Sequence, residues 1–214
     1  MNIDTQLEKS TLTVTLDVRH PFCFLALGPA LALGNECGFE VNWLPRAAEP
    51  LRAPKPSADD DDRGIRHRRH RAQMVGREIA VYAEAQSLTI KDPYRNGSAD
   101  ALHMAWLYIR NTKPDAFEAL LVKSFSRYWS LELDVSDVDA AAQLVAEFAG
   151  DARGYKSWAR TEGPAALCQV GRELDEVGAV TAPTYLACGQ VFQGRQHLPM
   201  IRWFLDGEVG PIPN

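Results

Sequence analysis

The junction from strand to helix at residues 20–23 (His-Pro-Phe-Cys) constrains the fold of this chain more than any other segment. Residues 11–18 before it alternate apolar and polar side chains, which is the period-two pattern of a β-strand. Pro21 then occupies the place expected for the first residue of a helix, and an apolar run follows at residues 24–27. His20 is therefore predicted to lie at a helix N-terminus, where the helix dipole and unpaired backbone N–H groups favour a negative charge.

Charge and hydropathy argue against several classes of protein. The 214 residues are 46% hydrophobic and 24% charged, which is the composition of a soluble globular protein with one good core. A formal net charge of −5 gives no reason to expect a nucleic-acid partner. No stretch approaches the roughly 18 apolar residues that a membrane span needs. The N-terminal segment also lacks the basic start and apolar run of a signal peptide, so we expect a cytoplasmic protein.

The rest of the chain separates into a second strand, a helical block and a strand-rich tail. Residues 39–44 alternate again, so the two strands and the helix between them form a βαβ unit with parallel strands. A proline-rich loop is predicted at 46–59, and an almost entirely helical segment at 60–176. A hairpin and a closing helix follow. The prediction is an α/β fold whose core, residues 11–45 and 179–208, is interrupted by an all-helical insertion.

An acidic run at residues 59–62 precedes a basic run at 66–71 (Arg-His-Arg-Arg-His-Arg). The pair is explained by favourable helix electrostatics, with carboxylates at the N-terminus and a solvated basic face behind them. The alternative is that one of the arginines contacts an anionic ligand. His67 and His70 are three residues apart, but no third ligand of suitable type lies near them in the sequence. No metal site is predicted.

Residues 20–23 and the segment 178–186 (Gly-Ala-Val-Thr-Ala-Pro-Thr-Tyr-Leu) resemble the DsbA-like branch of the thioredoxin superfamily. That branch contains disulfide oxidoreductases, kappa-class glutathione transferases and 2-hydroxychromene-2-carboxylate isomerases. The oxidoreductases carry Cys-Pro-x-Cys after the first strand, and the isomerases and kappa transferases have Ser in place of the first Cys. This chain keeps Pro21 and Cys23 but has His20 at the first position. The resemblance covers nearly the whole chain and implies a thioredoxin fold interrupted by a helical insertion.

Pro183 is the most specific residue that this resemblance identifies. The strand after the insertion of such folds begins with a cis-proline, and the residue before it pairs through its backbone with a substrate peptide or with glutathione. The resemblance therefore implies a cis Ala182–Pro183 bond and a ligand contact at Ala182. The alternative is an ordinary trans proline that opens a strand.

Further ligand contacts are predicted around these residues. The segment 194–198 (Gly-Arg-Gln-His-Leu) is similar to one that usually reads Gly-Asn/Gln-Asp-Arg-Leu in the isomerases and kappa transferases, where it helps to hold the γ-glutamyl end of glutathione. Arg195 and Gln196 are therefore candidates for binding glutathione, although the polar middle of the segment differs and helix capping would explain it equally well. The remaining predicted contacts are Pro21, Phe22 and Trp43.

His20 and Cys23 are the candidate catalytic residues. The helix dipole should lower the pKa of His20, and the resulting neutral imidazole could accept the thiol proton of glutathione. The alternative is a capping or solvent-facing histidine in a site without chemistry. Cys23 lacks a partner at position 20 for dithiol chemistry, and it could equally be a buried thiol of the core. The four cysteines form no Cys-x-x-Cys pair, and no structural disulfide is expected.

Three functions remain open on this sequence. The first is a glutathione-dependent enzyme of the isomerase or transferase type that acts on a small aromatic or electrophilic substrate. The second is a thiol–disulfide oxidoreductase, against which the missing first cysteine argues. The third is a non-catalytic binder of a small molecule or a protein. The exposed helices of the insertion could also carry a homodimer interface.

Overall fold

The computed structural model describes residues 4–56 and 62–213. In this part of the chain the strands are β1 (Leu12–Leu16), β2 (Asn42–Pro45), β3 (Thr184–Ala187) and β4 (Gln190–Gln193). The helices are α1 (Pro21–Cys37), α2 (Arg63–Ala85), α3 (Asp100–Thr112), α4 (Phe117–Trp129), α5 (Val138–Ala149), α6 (Ala152–Thr161), α7 (Gly163–Glu176) and α8 (Leu198–Leu205). Short 3-10 turns, Pro114–Ala116 and Arg195–His197, precede α4 and α8. The predicted α/β fold is confirmed.

The four strands form one sheet in the order β2-β1-β3-β4. β1 is parallel to β2, with Thr13 opposite Asn42, so the predicted βαβ unit is confirmed. β3 is antiparallel to both β1 and β4. Because Thr15 near the end of β1 pairs with Thr184 at the start of β3, the loops that follow β1 and precede β3 lie at the same edge of the sheet.

β1 is buried along its whole length, although its sequence alternates apolar and polar residues. Its polar residues are used as internal hydrogen-bonding groups. Thr13 Oγ1 accepts a hydrogen bond from Asn42 Nδ2 (2.9 Å), and Thr15 Oγ1 donates one to the carbonyl of Thr181 (2.9 Å). The alternation therefore separates an apolar face from a hydrogen-bonded face, and both faces are covered.

The helical block lies between β2 and β3 in the chain and runs from α2 to α7. α3 is its central helix, since all nine residues from 101 to 109 are buried. The basic run 66–71 forms part of α2, and Asp62 caps this helix by accepting a hydrogen bond from Ile65 N–H (2.7 Å). The other residues of the acidic run lie outside the described part of the chain. No helix among the described residues is both long and apolar enough to cross a bilayer.

Two boundaries differ from the sequence prediction. The second strand begins at Asn42, three residues after the start of the predicted segment 39–44. The sequence predicts a three-residue turn at 188–190, but the hairpin turn consists of Cys188 and Gly189, with φ values of 52° and 71°, so β4 begins at Gln190. A two-residue turn with both φ values positive matches the twist of the two strands that it connects.

Candidate active site at the start of helix α1

His20 is the N-cap residue of α1, with an extended backbone (φ −96°, ψ 114°) and no capping hydrogen bond from its side chain. Its N–H donates to the carbonyl of Asp17 (3.1 Å), and its carbonyl accepts from Cys23 N–H (2.9 Å). Pro21 has no N–H. Among the described residues this leaves Phe22 N–H as the unpartnered amide of the first turn, where the helix dipole favours negative charge.

The His20 imidazole is half-buried and lies against Phe22, with ring centroids 5.8 Å apart. Burial lowers its pKa below the ordinary value of 6.5, against the attraction of Asp17, and Arg19 lowers it further. The direction agrees with the prediction, but burial now supplies a physical cause besides the helix dipole. Its Nδ1 is buried and has no hydrogen-bond partner in the described part of the chain. The neutral ring therefore carries a nitrogen lone pair that can accept a proton.

Cys23 does not have the environment of a catalytic cysteine. Its side chain is fully buried, and its Sγ accepts a hydrogen bond from Asp17 N–H (3.3 Å). Burial raises the pKa of the thiol well above 9.0, and the negative charge of Asp17 acts in the same direction. Burial leaves the thiol inaccessible and favours its protonated form, which argues against the predicted catalytic role of Cys23 because thiolate chemistry needs both ionisation and access. All four cysteines are free.

A buried carboxylate, Asp17, organises the loop that carries His20. Its Oδ1 accepts hydrogen bonds from the backbone N–H (2.9 Å) and Nε (3.0 Å) of Arg19. Its Oδ2 accepts from Arg19 Nη2 (2.6 Å) and from Ala48 N–H (2.8 Å). Burial alone would raise the pKa of this carboxyl, but His103, Arg19 and the Ala48 amide together lower it. Asp17 is therefore an ionised and fully hydrogen-bonded group behind His20.

His103 connects the helical insertion to this loop. It lies on α3, and its Nε2 is 3.4 Å from Val18 N, which donates to it, and 3.5 Å from Asp17 Oδ1. Burial lowers the pKa of the imidazole, although Asp17 opposes this shift. Arg19 adds a second connection, since its Nη1 donates to the carbonyl of Gly97, just before α3. Sequence reasoning missed His103, because no local pattern relates it to Asp17.

The predicted cis peptide bond between Ala182 and Pro183 is confirmed. Thr15 fixes this loop, because its Oγ1 donates to Thr181 O (2.9 Å) and accepts from Thr184 N–H (3.0 Å). Gly194 N–H donates to Pro183 O (2.9 Å). Within the described chain no hydrogen bond uses the backbone N–H or C=O of Ala182. The sheet register brings this loop to the same edge as His20, so the predicted pair of loops is present.

Arg195 is turned towards the insertion. Its guanidinium carbon lies 3.3 Å from the centre of the Tyr82 ring on α2, and its Nη2 is 3.8 Å from Glu78 Oε1. Its Nε is buried and has no partner among the described residues. Gln196 is exposed and its Nε2 donates back to Gln193 O (2.9 Å). Arg195 is therefore a cation held between the core and the insertion by stacking on an aromatic face.

Trp43 does not belong to the site. The indole is 4% exposed and packs in the main hydrophobic core, so the predicted ligand contact at Trp43 is wrong. The strand that carries Trp43 is covered on both faces. Its burial pattern, buried at all four positions, is that of a core strand.

Tyr185 is a second polar residue that sequence reasoning missed. It is the second residue of β3 and fully buried, and its hydroxyl has no hydrogen-bond partner in the described residues. Burial raises its pKa, the Cys23 thiol acts in the same direction, and Arg195 opposes the shift. An unpartnered hydroxyl is therefore buried close to Cys23 and Arg195, behind the cis-proline loop.

No group of three or more metal-ligating side chains exists in the described residues.

No family model matches the chain, and no curated relative matches it. Solved structures do. A 2-hydroxychromene-2-carboxylate isomerase superposes with a TM-score of 0.70 at 15% identity, covering 92% of this chain and 95% of that one. A probable DsbA oxidoreductase from Streptomyces coelicolor gives a TM-score of 0.67 at 19% identity, covering 95% and 92%.

A third similar structure is the cytosolic disulfide reductase DsbM from Pseudomonas aeruginosa, solved with GSH. Its TM-score is 0.61 at 18% identity, and the superposition covers 92% of this chain and 98% of that one. At such identities the similarity concerns the fold. Together with the βαβ unit, the cis-proline before β3 and the helices between β2 and β3, it shows that this chain has the DsbA-like thioredoxin fold with a helical insertion.

Proposed function

We propose that this protein is a glutathione-dependent enzyme of the isomerase or transferase type, and that His20 is its proton acceptor. The observation that carries the proposal is the state of His20, a neutral imidazole at the N-terminus of α1 whose Nδ1 is buried, so that Nε2 is the ring nitrogen left for a ligand. Its place is the one that a thiol or hydroxyl occupies in the enzymes that the sequence resembles. The substrate would be a small aromatic or electrophilic molecule.

The described residues fit glutathione in three respects. The backbone N–H and C=O of Ala182 make no hydrogen bond within the described chain, and they could pair with a peptide in the manner of an added strand once this residue, which is 3% exposed, is uncovered. Arg195 provides a cation whose Nε is unpartnered, which suits a carboxylate. Phe22 N–H is an unpartnered donor at a helix N-terminus, which suits a thiolate. Gln196 makes its hydrogen bond within its own turn, so it contributes less to this fit.

Bound glutathione would supply a thiol that becomes a nucleophile when it loses its proton. A ring nitrogen of His20 takes that proton, and the imidazolium that forms is stabilised by the carboxylate of Asp17. The Phe22 amide and the helix dipole stabilise the negative charge left on sulfur. His20 can then return the proton to the product, which leaves the protein unchanged.

Thiol–disulfide exchange is disfavoured as an activity of this chain. It needs a thiolate that is accessible and a second thiol to resolve the mixed disulfide. Cys23 is buried and protonated, and position 20 holds histidine.

We also propose a cytoplasmic location, because free cysteines and the use of glutathione both suit a reducing compartment.

A homodimer is the proposed assembly. Met74 and Val81 are exposed by 68% and 63%, and a spacing of seven residues brings them to one face of α2. We infer that this face of α2 carries the dimer interface. Sedimentation of the protein and of its Met74→Lys variant measures the assembly: the proposal expects dimers for the first and monomers for the second.

Isothermal titration with glutathione tests the proposed function. The protein should bind glutathione at millimolar concentrations or below, and His20→Ala should lose most of the binding. His67→Ala is the matched control, since His67 is an exposed histidine on α2, and it should bind as the wild type does. Absence of binding by the wild-type protein at millimolar glutathione would refute the proposal.

A further inference from the structure

A cavity of about 490 Å³ lies at the carboxyl end of β2, between the loop that follows this strand and the helices α3 and α7. Its walls include the apolar side chains of Met104, Pro164 and Leu167. His20 and Phe22 do not line it. The volume is in the range of about 300–1,000 Å³ that small-molecule sites occupy. The cavity is therefore a second place on the molecule where a small ligand fits.

Arg46 provides a charged donor in this cavity. Its Nη1 donates to Gly171 O (2.9 Å), and its Nη2 is 2.6 Å from Asp175 Oδ1, so the guanidinium is fixed against α7. Its Nε is buried and has no hydrogen-bond partner among the residues that the structure describes. A buried N–H without a partner carries a desolvation cost that a ligand oxygen would remove.

His103 provides a second donor. Its ring lines the cavity, and its side chain is only 2% exposed. Val18 N–H donates to Nε2, so the neutral ring carries its proton on Nδ1. The one hydrogen bond that the structure gives this ring among the described residues is at Nε2, which leaves Nδ1 for a ligand. Burial lowers the pKa of the ring and so maintains the neutral form, while Asp17 and Asp100 oppose this shift and Arg19 reinforces it.

We propose that this cavity binds a small monocarboxylate with an apolar body. The carboxylate oxygens would accept hydrogen bonds from Arg46 Nε–H and His103 Nδ1–H, and the body would lie against Met104, Pro164 and Leu167. Asp100 also lines the cavity and is exposed, so a second anionic group on the ligand would be repelled. The cavity does not include His20, although His103 also contacts the loop before it, and the ligand needs no reaction.

Cys168 makes the proposal testable in the wild-type protein. This exposed thiol lines the cavity, and Cys188 is an exposed thiol in the β3–β4 turn that serves as an internal reference. The rate of alkylation of each cysteine by iodoacetamide is measured by mass spectrometry with increasing benzoate. We expect benzoate to slow the alkylation of Cys168 several-fold in a saturable manner, with no effect on Cys188.

Neutral benzamide is the matched probe, because it has the same ring and lacks the charge. The proposal expects it to protect Cys168 much less than benzoate does. Equal protection by the two probes, or no protection by benzoate at tens of millimolar, would overturn the proposal. Arg46→Lys should abolish the protection while alkylation without benzoate stays unchanged. His20→Ala should still be protected, so failure of the glutathione proposal would leave this result intact.

Discussion

The imidazole Nε2 of His103 lies 3.5 Å from Asp17 Oδ1, and both side chains are almost completely buried. Because the same Nε2 accepts a hydrogen bond from Val18 N–H (3.4 Å), His103 joins α3 of the insertion to the loop that begins α1. Asp17 is held in that loop by three hydrogen bonds from Arg19, whose Nη1 also donates to Gly97 O before α3. The insertion is therefore part of the support of the candidate site.

Asp17→Asn tests this support. The substitution removes the negative charge and leaves the Arg19 guanidinium, whose side chain is 12% exposed, without a counter-charge. We expect the free energy of unfolding to fall by about 3–5 kcal/mol, the cost of breaking a buried ion pair. Urea denaturation measures it. Glu147→Gln, which removes a largely exposed pair with Arg127, is the control and should change stability little. Similar effects of the two substitutions would contradict the account.

Stability should decrease on acidification below pH 6.5. Burial lowers the pKa of both His20 and His103 below 6.5, the value that each has in the unfolded chain. Above pH 6.5 both imidazole rings are neutral in the folded and in the unfolded protein. Below it the unfolded chain binds protons that the folded protein does not, so the free energy of unfolding falls until the folded-state pKa values are reached.

Denaturation at a series of pH values measures this loss. His103→Gln removes one of the two titrations, so it should have a shallower dependence on pH, although the variant is less stable at neutral pH. His67→Gln changes an exposed histidine of α2 and should keep the wild-type slope. An unchanged slope in His103→Gln would show that this imidazole is not held neutral.

Thr15→Val tests the support of the cis-proline loop. The substitution leaves Thr184 N–H without its partner and removes one of the two hydrogen bonds to Thr181 O, which Thr184 Oγ1 also contacts (2.8 Å). We expect a loss of about 1–3 kcal/mol in the free energy of unfolding. Glutathione affinity should fall as well, since the loop would be displaced. Thr13→Val is the matched control, because Thr13 is a buried threonine of the same strand. Its Oγ1 accepts a hydrogen bond from Asn42, which is not part of the cis-proline loop. Thr13→Val should lower stability without changing the affinity for glutathione. Equal glutathione affinities of the two variants would refute the role of Thr15.

Tyr185→Phe removes a buried hydroxyl that has no partner. Because such a group is desolvated without compensation, we expect the variant to gain about 1 kcal/mol in the free energy of unfolding. Tyr155→Phe is the control, since the Tyr155 hydroxyl is also buried but donates to Ala101 O (2.5 Å), and this variant should lose stability. Thermal and urea denaturation compare the two. Destabilisation by both substitutions would mean that the Tyr185 hydroxyl has a partner.

Local signals in the sequence predicted much of the site. The proline at the start of α1 and the β-branched strand before it predicted the position of His20, and the resemblance of residues 178–186 to a family predicted the cis bond at Pro183. These features depend on neighbours in the chain or on a short motif. The alternation in β1 predicted a strand correctly, but it does not show that both faces of this central strand are buried.

Burial and distant contacts could not be predicted in the same way. Cys23 and Trp43 were assigned to the site from their positions in the chain, and each is buried by elements that lie far away in the sequence. The pairing of Asp17 with His103 depends on how α3 packs against the sheet, which no local pattern specifies. The missed residues are therefore those whose role depends on tertiary packing.

The central claim is that His20 accepts the proton of a bound thiol, and the ionisation of glutathione on the protein tests it most directly. The ultraviolet absorbance of the thiolate is followed over a pH titration, with S-methylglutathione as the reference that subtracts the protein's own thiols. The account predicts that wild-type protein lowers the pKa of the bound thiol and that His20→Ala returns it towards that of free glutathione. Identical titration curves for the two proteins, at saturating glutathione, would contradict it.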